Sequence, residues 1–231
     1  MFMILLLVVI VFLAIYIYRR VQYQNSDYYH QTKNPYRTTI LNKGIQGEFN
    51  IATLLEPFLS QSARILYNVY IPTKNGETTE IDIILISHSG LFVIESKNYS
   101  GWIFGDVNRK KWCQTLPARR GCEKHYFYNP VWQNRAHIRH LQGLLGSTLP
   151  YYSIVVFSDK CTFKKLSMED ASASVIYAYH LQYVIQRIQA IEGVRLDEAQ
   201  IDHIYTSLCP YTHADDYIKA KHRNDVFKKQ H

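Results

Sequence analysis

Two carboxylates and one ammonium group occur on neighbouring apolar segments of the chain. Asp82 lies in the first segment, residues 80–86, and Glu95 and Lys97 lie in the second, residues 91–99. The turn-forming sequence Ser-His-Ser-Gly separates them, so the two segments are predicted to form an antiparallel β-hairpin. Both are apolar at most positions, which is typical of strands buried on both faces of a sheet.

The predicted register of this hairpin brings the charged side chains together. A four-residue turn places Asp82 opposite Glu95. It also places Glu80 opposite Lys97. Because side chains alternate between the faces and opposed side chains lie about 5 Å apart, Asp82, Glu95 and Lys97 are expected on one face. The other pairs of this register are Ile84 with Val93 and Ile86 with Leu91.

Two neighbouring carboxylates in an apolar sheet need a positive charge close by. Carboxylate oxygens, completed by a backbone carbonyl and water, suit Mg²⁺ or Mn²⁺ better than zinc. Lys97 would then hold an attacking water or stabilise charge on a phosphate. The alternative is a surface ion pair between Glu80 and Lys97, with Asp82 and Glu95 in solvent. Spacing alone does not decide between the two.

Four motifs, in this order along the chain, resemble the nuclease-related (NERD) domain, which is counted among the restriction-endonuclease-like PD-(D/E)xK superfamily. The resemblance covers roughly residues 43 to 146. The motifs are Gly44-Ile45-Gln46-Gly47-Glu48, Glu80-Ile81-Asp82, Glu95-Ser96-Lys97-Asn98 and Tyr128-Asn129-Pro130-Val131-Trp132-Gln133.

The resemblance implies an α/β fold with a restriction-endonuclease-like mixed sheet flanked by helices. It also implies that Asp82 and Glu95 bind a divalent metal and that Lys97 assists the nucleophile. Glu48 is expected to join them from the first helix of the domain, and Gln133 to contact the substrate or orient the site. The implied reaction is metal-dependent hydrolysis of a phosphodiester in DNA or RNA.

Glu48 lies on the apolar face of a helix predicted over Gly44–Leu59, together with Ile51, Ala52 and Leu55. A carboxylate on that face needs a hydrogen bond, an ion partner or a metal. In the alternative interpretation, Glu48 caps the N-terminus of the helix, where the macrodipole favours an anion. The helical pattern favours the cap, and the resemblance favours the active site.

The net charge is +7, which favours an anionic partner, either nucleic acid or lipid headgroups. The most basic stretch interleaves its charges with Trp112, Tyr126, Phe127 and Tyr128, as a nucleic-acid interface does. The alternative is a solvated loop that a few aromatic side chains anchor to the core. The candidate nucleic-acid-binding residues are Arg109, Lys110, Lys111, Arg119, Arg120 and Lys124.

The first twenty residues predict a membrane anchor. Residues 2–18 carry no charge, and at about 1.5 Å per residue they just span a bilayer core. Arg19 and Arg20 follow, so the positive-inside rule places the N-terminus outside and the main domain in the cytoplasm. A secreted form is the alternative, although the features of a cleaved signal peptide are missing. Residues 21–43 are polar and contain Pro35, which predicts a linker.

The rest of the chain predicts a nuclease-related core over residues 44–146, and strands and helices that complete or flank the sheet over residues 147–208. A charged tail follows at residues 209–231. His137-x-x-His140 lies on a helix that starts at Asn129-Pro130, and a solvated polar stripe is favoured over a zinc site. The four scattered cysteines do not predict zinc either.

Three functions remain open: a membrane-anchored nuclease, an inactive membrane-tethered nucleic-acid-binding module, and a scaffold that sits on lipid. The intact set of acidic residues with Lys97 favours the nuclease. A dimer is possible, and the sequence does not decide the oligomeric state.

Overall fold

A computed structural model describes residues 2–60, 62–73, 76–169 and 172–212. The chain has the predicted α/β class, but it forms two mixed sheets rather than one. The strands are β1 (Arg64–Pro72), β2 (Thr78–Ser87), β3 (Gly90–Lys97), β4 (Gly101–Asp106), β5 (Lys111–Pro117), β6 (Cys122–Tyr128), β7 (Tyr151–Phe157), β8 (Cys161–Ser167) and β9 (Ala173–Tyr177). The helices are α1 (Phe2–Gln24), α2 (Asp27–Thr32), α3 (Tyr36–Leu41), α4 (Lys43–Leu59), α5 (Pro130–Leu145), α6 (Leu181–Glu192) and α7 (Glu198–Leu208).

The five-stranded sheet has the order β1-β2-β3-β7-β9. Strands β1, β2 and β3 pair antiparallel, whereas β3, β7 and β9 run parallel. The predicted hairpin register is confirmed, since Ile84 pairs with Val93 and Ile86 with Leu91. The strands extend further than expected, and only His88 and Ser89 lie between them.

Helices cover both faces of this sheet. On one face, Ile51 and Leu55 of α4 and Ile185 of α6 pack into the core. On the other face, Leu141 of α5 and Ile204 of α7 do so. Because neither face meets water, β2 and β3 are apolar at successive rather than alternate positions.

The four-stranded sheet has the order β6-β5-β4-β8 and buries one face. Ile103 and Trp112 point inward and pack with Val131 of α5 and Phe157 of β7. The sequence did not predict β5, β6 or β8. Their lysines and other polar residues lie on the exposed side, where solvation removes the need for an apolar pattern.

The helix α1 is long and apolar enough to cross a membrane, and no other part of the described chain buries its apolar window. The expected linker is wrong as a description of residues 21–43. Helix α1 continues to Gln24, α2 and α3 follow it, and Tyr23 and Tyr28 lie in the domain core. Tertiary packing of tyrosine rings orders a segment whose composition is polar. The charged tail from residue 213 onward lies outside the described residues.

Candidate active site

Glu95 is the centre of the site at the end of β3. Its side chain is only 2% exposed. The Lys97 ammonium donates a hydrogen bond to Glu95 Oε1 over 2.6 Å. The other oxygen, Oε2, lies 3.2 Å from His137 Nε2, without the alignment of a hydrogen bond. Glu95 is therefore a buried carboxylate held between two nitrogen groups.

Asp82 lies beside this pair, one residue beyond the end of the β2–β3 ladder. Its Oδ2 accepts a hydrogen bond from the backbone N–H of Ser96 over 2.8 Å. The structure thus brings together the three charged groups that the hairpin register predicts. The alternative ion pair between Glu80 and Lys97 is wrong, because Lys97 pairs with Glu95.

Glu48 reaches the site from the first turns of α4. It does not cap the helix, because the Asn42 side chain does so by accepting from the N–H groups of Gly44 and Ile45. Instead, Glu48 Oε2 accepts a hydrogen bond from the Tyr28 hydroxyl over 3.0 Å. The interpretation as an N-terminal cap is wrong.

Two carboxyl groups of the site, Glu48 and Asp82, are disfavoured in their charged forms. Burial, with added repulsion from Glu80 and Glu95, raises the pKa of Glu48 to about 7. Burial, Glu95 and Glu48 raise the pKa of Asp82 well above its usual range. These shifts indicate a place where an added cation would be stabilised.

The pair of Glu95 and Lys97 behaves differently. Burial acts to raise the pKa of Glu95, but Lys97 and His137 outweigh it and the pKa falls below its usual value. Burial acts to lower the pKa of Lys97, but attraction to Glu95, followed by weaker contributions, raises it. Both groups are therefore charged at neutral pH.

The oxygen donors fit a hard divalent cation. Glu95 Oε2 is buried and has no hydrogen-bond partner, and Asp82 lies beside it with a raised pKa. Within the described ranges, no three or more His, Cys, Asp and Glu side chains are grouped so that they alone would hold a metal ion. A cation bound to Asp82 and Glu95 would therefore need a backbone carbonyl and water to complete its coordination.

Gln133 lies on α5, which begins where predicted. The Asn129 side chain caps the helix by accepting from the N–H groups of Val131 and Trp132, and Pro130 occupies its first position. Gln133 Oε1 accepts a hydrogen bond from Lys97 Nζ over 3.2 Å. All five predicted site residues therefore lie at one end of the central sheet.

The comparisons with known proteins show the family of the chain. A family model described as the nuclease-related domain matches residues 43–158. The chain belongs to the NERD family. An uncharacterized protein of Bacillus anthracis is 33% identical over 180 residues, which make up 78% of this chain and 82% of that protein. No solved structure matches the chain significantly.

His137 is a residue of the NERD domain site that sequence reasoning placed in solvent. It is buried, and its Nδ1 lies 2.9 Å from the Thr79 hydroxyl while Nε2 faces Glu95. The expected solvated stripe is therefore wrong at this position. A signal was present, because His137 follows Gln133 by four residues and so shares its helix face.

Tyr28 and Asn68 are two further site residues that the sequence did not reveal. Both act to lower the pKa of Glu48, and the Tyr28 hydroxyl donates a hydrogen bond to its Oε2. Asn68 interrupts β1 at the level of Asp82 with a left-handed backbone, φ 51°, which asparagine tolerates better than most residues. Tyr28 precedes the part of the chain that the NERD family model covers. In the sequence, only Asn68 could have been noticed, because it is an asparagine within an apolar strand pattern.

A cleft of about 690 Å³ lies between the end of β3 and helices α1, α3 and α4. Its lining includes Lys97 and Asn98 from the domain and Tyr18 and Arg19 from the end of the apolar helix. Gly47 allows α4 to approach β3 here, since a Cβ atom would lie 2.7 Å from Asn98 Cβ. Of the five predicted site residues, Lys97 alone lines this cleft, and Glu48, Asp82, Glu95 and Gln133 do not.

The six predicted nucleic-acid-binding residues are all exposed on or beside the β5–β6 hairpin. Arg109 pairs with Asp106 over 3.3 Å. Among the aromatic side chains expected to join them, Trp112 is buried at 1% exposure and Phe127 packs against it, whereas Tyr126 is 66% exposed. The alternation of the strand therefore makes only part of the expected set accessible.

Proposed function

We propose that the protein is a membrane-anchored nuclease that hydrolyses phosphodiesters of DNA or RNA with a divalent metal. The observation that carries the proposal is the convergence of Glu48, Asp82 and Glu95 with Lys97 at one end of a buried sheet. Family membership supports a nuclease-like function. The raised pKa values of Glu48 and Asp82 support a cation there.

In this proposal, Asp82 and Glu95 hold Mg²⁺ or Mn²⁺. Such a cation, when bound, would supply Lewis acidity to the phosphate and acidify a water molecule. Lys97 is held by Glu95 and Gln133, so its ammonium is positioned to stabilise charge on the scissile phosphate. Glu48 has a pKa of about 7 without a bound cation, so that in this state it can take up a proton near neutral pH.

The proposed location is the cytoplasmic face of a membrane, with the N-terminus outside and the domain inside. Arg19 and Arg20 directly after the apolar run support this orientation. Tyr23 and Tyr28 tie the end of α1 and α2 to the domain core. The domain would therefore lie directly against the membrane surface rather than on a flexible tether.

A second candidate is an inactive nucleic-acid-binding module. It is favoured by the ion pair between Glu95 and Lys97, which already satisfies one oxygen of a proposed metal ligand. The exposed basic side chains of the β5–β6 hairpin would serve either function.

The test is cleavage of labelled DNA and RNA by the full chain in detergent or nanodiscs, with Mg²⁺ or Mn²⁺ against EDTA. Asp82→Asn and Lys97→Met should each lower the rate at least 100-fold, on the order of a lost electrostatic contact in the transition state. Asp202→Asn is the matched control, because this aspartate forms an exposed ion pair with Arg64. Equal rates for all variants, or no metal-dependent cleavage, would reject the nuclease and leave the binding module.

A further inference from the structure

The outer face of the four-stranded sheet carries exposed aromatic rings and lysines. Trp102 and Phe104, on β4, are 45% and 36% exposed, and Tyr126 of β6 is 66% exposed. Register places Phe104 opposite Cys113, and Cys113 opposite Tyr126. The alternate residues of β4 and β5, including Ile103 and Trp112, fill the core behind the sheet. The three exposed rings therefore lie on one side of the sheet, without a covering element in the described chain.

The same face is positively charged. Lys124 of β6 pairs with Thr115, which faces Trp102, and Lys165 of β8 pairs with Phe104. The ammonium of Lys164 lies 4.8 Å from the centroid of the Trp102 ring. On β4, Asp106 is the acidic residue that alternates with Trp102 and Phe104 and so shares their face. It lies at the end of the strand and pairs with Arg109.

We propose that this face, defined by Trp102, Phe104, Tyr126, Lys124, Lys164 and Lys165, binds single-stranded nucleic acid. Trp102 and Phe104 lie two residues apart, about 7 Å along the strand, so that successive bases of an extended strand can stack on them. The lysines around the rings suit the phosphates between those bases. A base that stacks on Trp102 displaces the Lys164 ammonium, which then meets a phosphate.

A duplex fits this face less well, because its bases stack on each other and leave no ring for the side chains to contact. The tail of the chain is itself basic, with Lys219, Lys221, Arg223, Lys228 and Lys229, so charge does not favour it as the occupant. A polyanion with free aromatic bases complements both features of the face.

The face is also close to the site. Trp102 follows Lys97 by five residues, which span at most about 18 Å even when fully extended. In the proposal, a strand that stacks on β4 extends over this distance to place a phosphodiester at the site. In this respect the inference deepens the proposed nuclease function and rests on it. The binding itself does not depend on catalysis.

The experiment measures binding of fluorescent single-stranded dT and rU oligonucleotides to the full chain in zwitterionic nanodiscs, with EDTA to prevent cleavage. Trp102→Leu with Phe104→Leu retains apolar surface but removes the rings, and should weaken binding about tenfold or more. The matched control is Tyr183→Leu with Arg187→Gln, an exposed aromatic and a basic residue on α6. Unchanged affinity in the ring variant would overturn the proposal.

Charge and stacking are separated by the salt dependence. Replacement of Lys124, Lys164 and Lys165 by glutamine should flatten the slope of log K against log salt, whereas the ring variant should keep the slope of the wild type. Binding of a duplex as tightly as of the single strand would contradict the proposal. Quenching of tryptophan fluorescence by brominated lipid that is absent from the Trp102→Leu variant and unrelieved by oligonucleotide would show that the face lies on the membrane and would also overturn the proposal.

The two proposals fail separately. Asp82→Asn should bind the single strand as the wild type does and lose cleavage. If wild type binds through this face but never cleaves, the nuclease proposal fails and the binding face stands. If the wild type cleaves, and the ring variant cleaves and binds as well as the wild type does, the binding face fails and the nuclease proposal stands.

Discussion

The two sheets of the protein differ in how many faces they bury, and this difference determines where charge lies. The central sheet is covered by helices on both faces, and its buried charged side chains lie at one end. There Asp82, Glu95 and Lys97 are held by one another and by nearby donors. The second sheet is covered on one face, and its lysines lie in water on the other. In the two proposals, the buried charges carry out the reaction and the solvated charges contact a mobile polyanion.

The largest expected difference between the sheets concerns one lysine in each. Lys97→Met removes the cation from the buried Glu95 carboxylate and should destabilise the protein by about 3–5 kcal/mol. Lys165→Met, on the exposed face, should change stability by less than about 0.5 kcal/mol. Urea midpoints of the full chain in detergent measure both. Equal losses would contradict the difference between the two sheets.

A second comparison lies within the four-stranded sheet, where two tryptophans occupy opposite faces. Trp112→Ala empties a buried position and should cost about 3–5 kcal/mol. Trp102→Ala removes a half-exposed ring and should cost less than about 1 kcal/mol. If thermal or urea unfolding showed a larger loss of stability in Trp102→Ala than in Trp112→Ala, the buried and exposed faces of the sheet would be assigned wrongly.

A third prediction concerns the pH dependence of the buried end. Since the pKa of Glu48 is raised to about 7 in the folded state, that state retains a proton that the unfolded chain loses near pH 4.5. Stability without metal should therefore fall as pH rises from about 4.5 to above 7, by at most about 3 kcal/mol for this group. Glu48→Gln should remove the part of the decline that comes from Glu48 and leave the part that the raised pKa of Asp82 contributes.

The control for that measurement is Glu198→Gln, at the exposed start of α7, which should leave the decline in place. Unfolding curves at pH 5, 6, 7 and 8 in EDTA distinguish the two variants. A decline of the same size in Glu48→Gln would show that Glu48 is not its source.

The smallest effect is expected from a single hydroxyl. Tyr28→Phe removes a hydrogen bond to Glu48 and should cost about 1–2 kcal/mol. Because that bond acts to lower the pKa of Glu48, its loss should raise this pKa further and move the stability decline to higher pH. Tyr67→Phe is the control, since this buried ring packs on Tyr28 at 5.1 Å and makes no hydrogen bond to Glu48. Identical shifts in both variants would assign the effect to packing.

Local patterns predicted much of the central sheet. The turn between β2 and β3 set the register that places Asp82 beside Glu95, and Asn129-Pro130 marked the start of α5. These signals depend on a few neighbouring residues, so they can be recognised without knowledge of the rest of the chain. The same is true of the apolar run in α1.

Local patterns did not predict most of the second sheet or the short helices α2 and α3. Strands β5, β6 and β8 carry polar residues on an exposed face, and so lack the apolar signal of a buried strand. Helices α2 and α3 are short and polar. They are ordered because Tyr23 and Tyr28 pack against α4 and β1, which are distant in sequence.

By itself the sequence determined the class of the fold, the apolar N-terminal helix, and the set of acidic and basic groups that share one end of the central sheet. Period-two alternation and helix capping act over a few residues and can be read from them. Only the tertiary structure decided that Lys97 pairs with Glu95, that His137 and Tyr28 complete the surroundings of the carboxylates, and that Trp102 rather than Trp112 faces solvent. These outcomes depend on which distant elements cover a face, and burial, not residue type, sets the partner and the charge of each group.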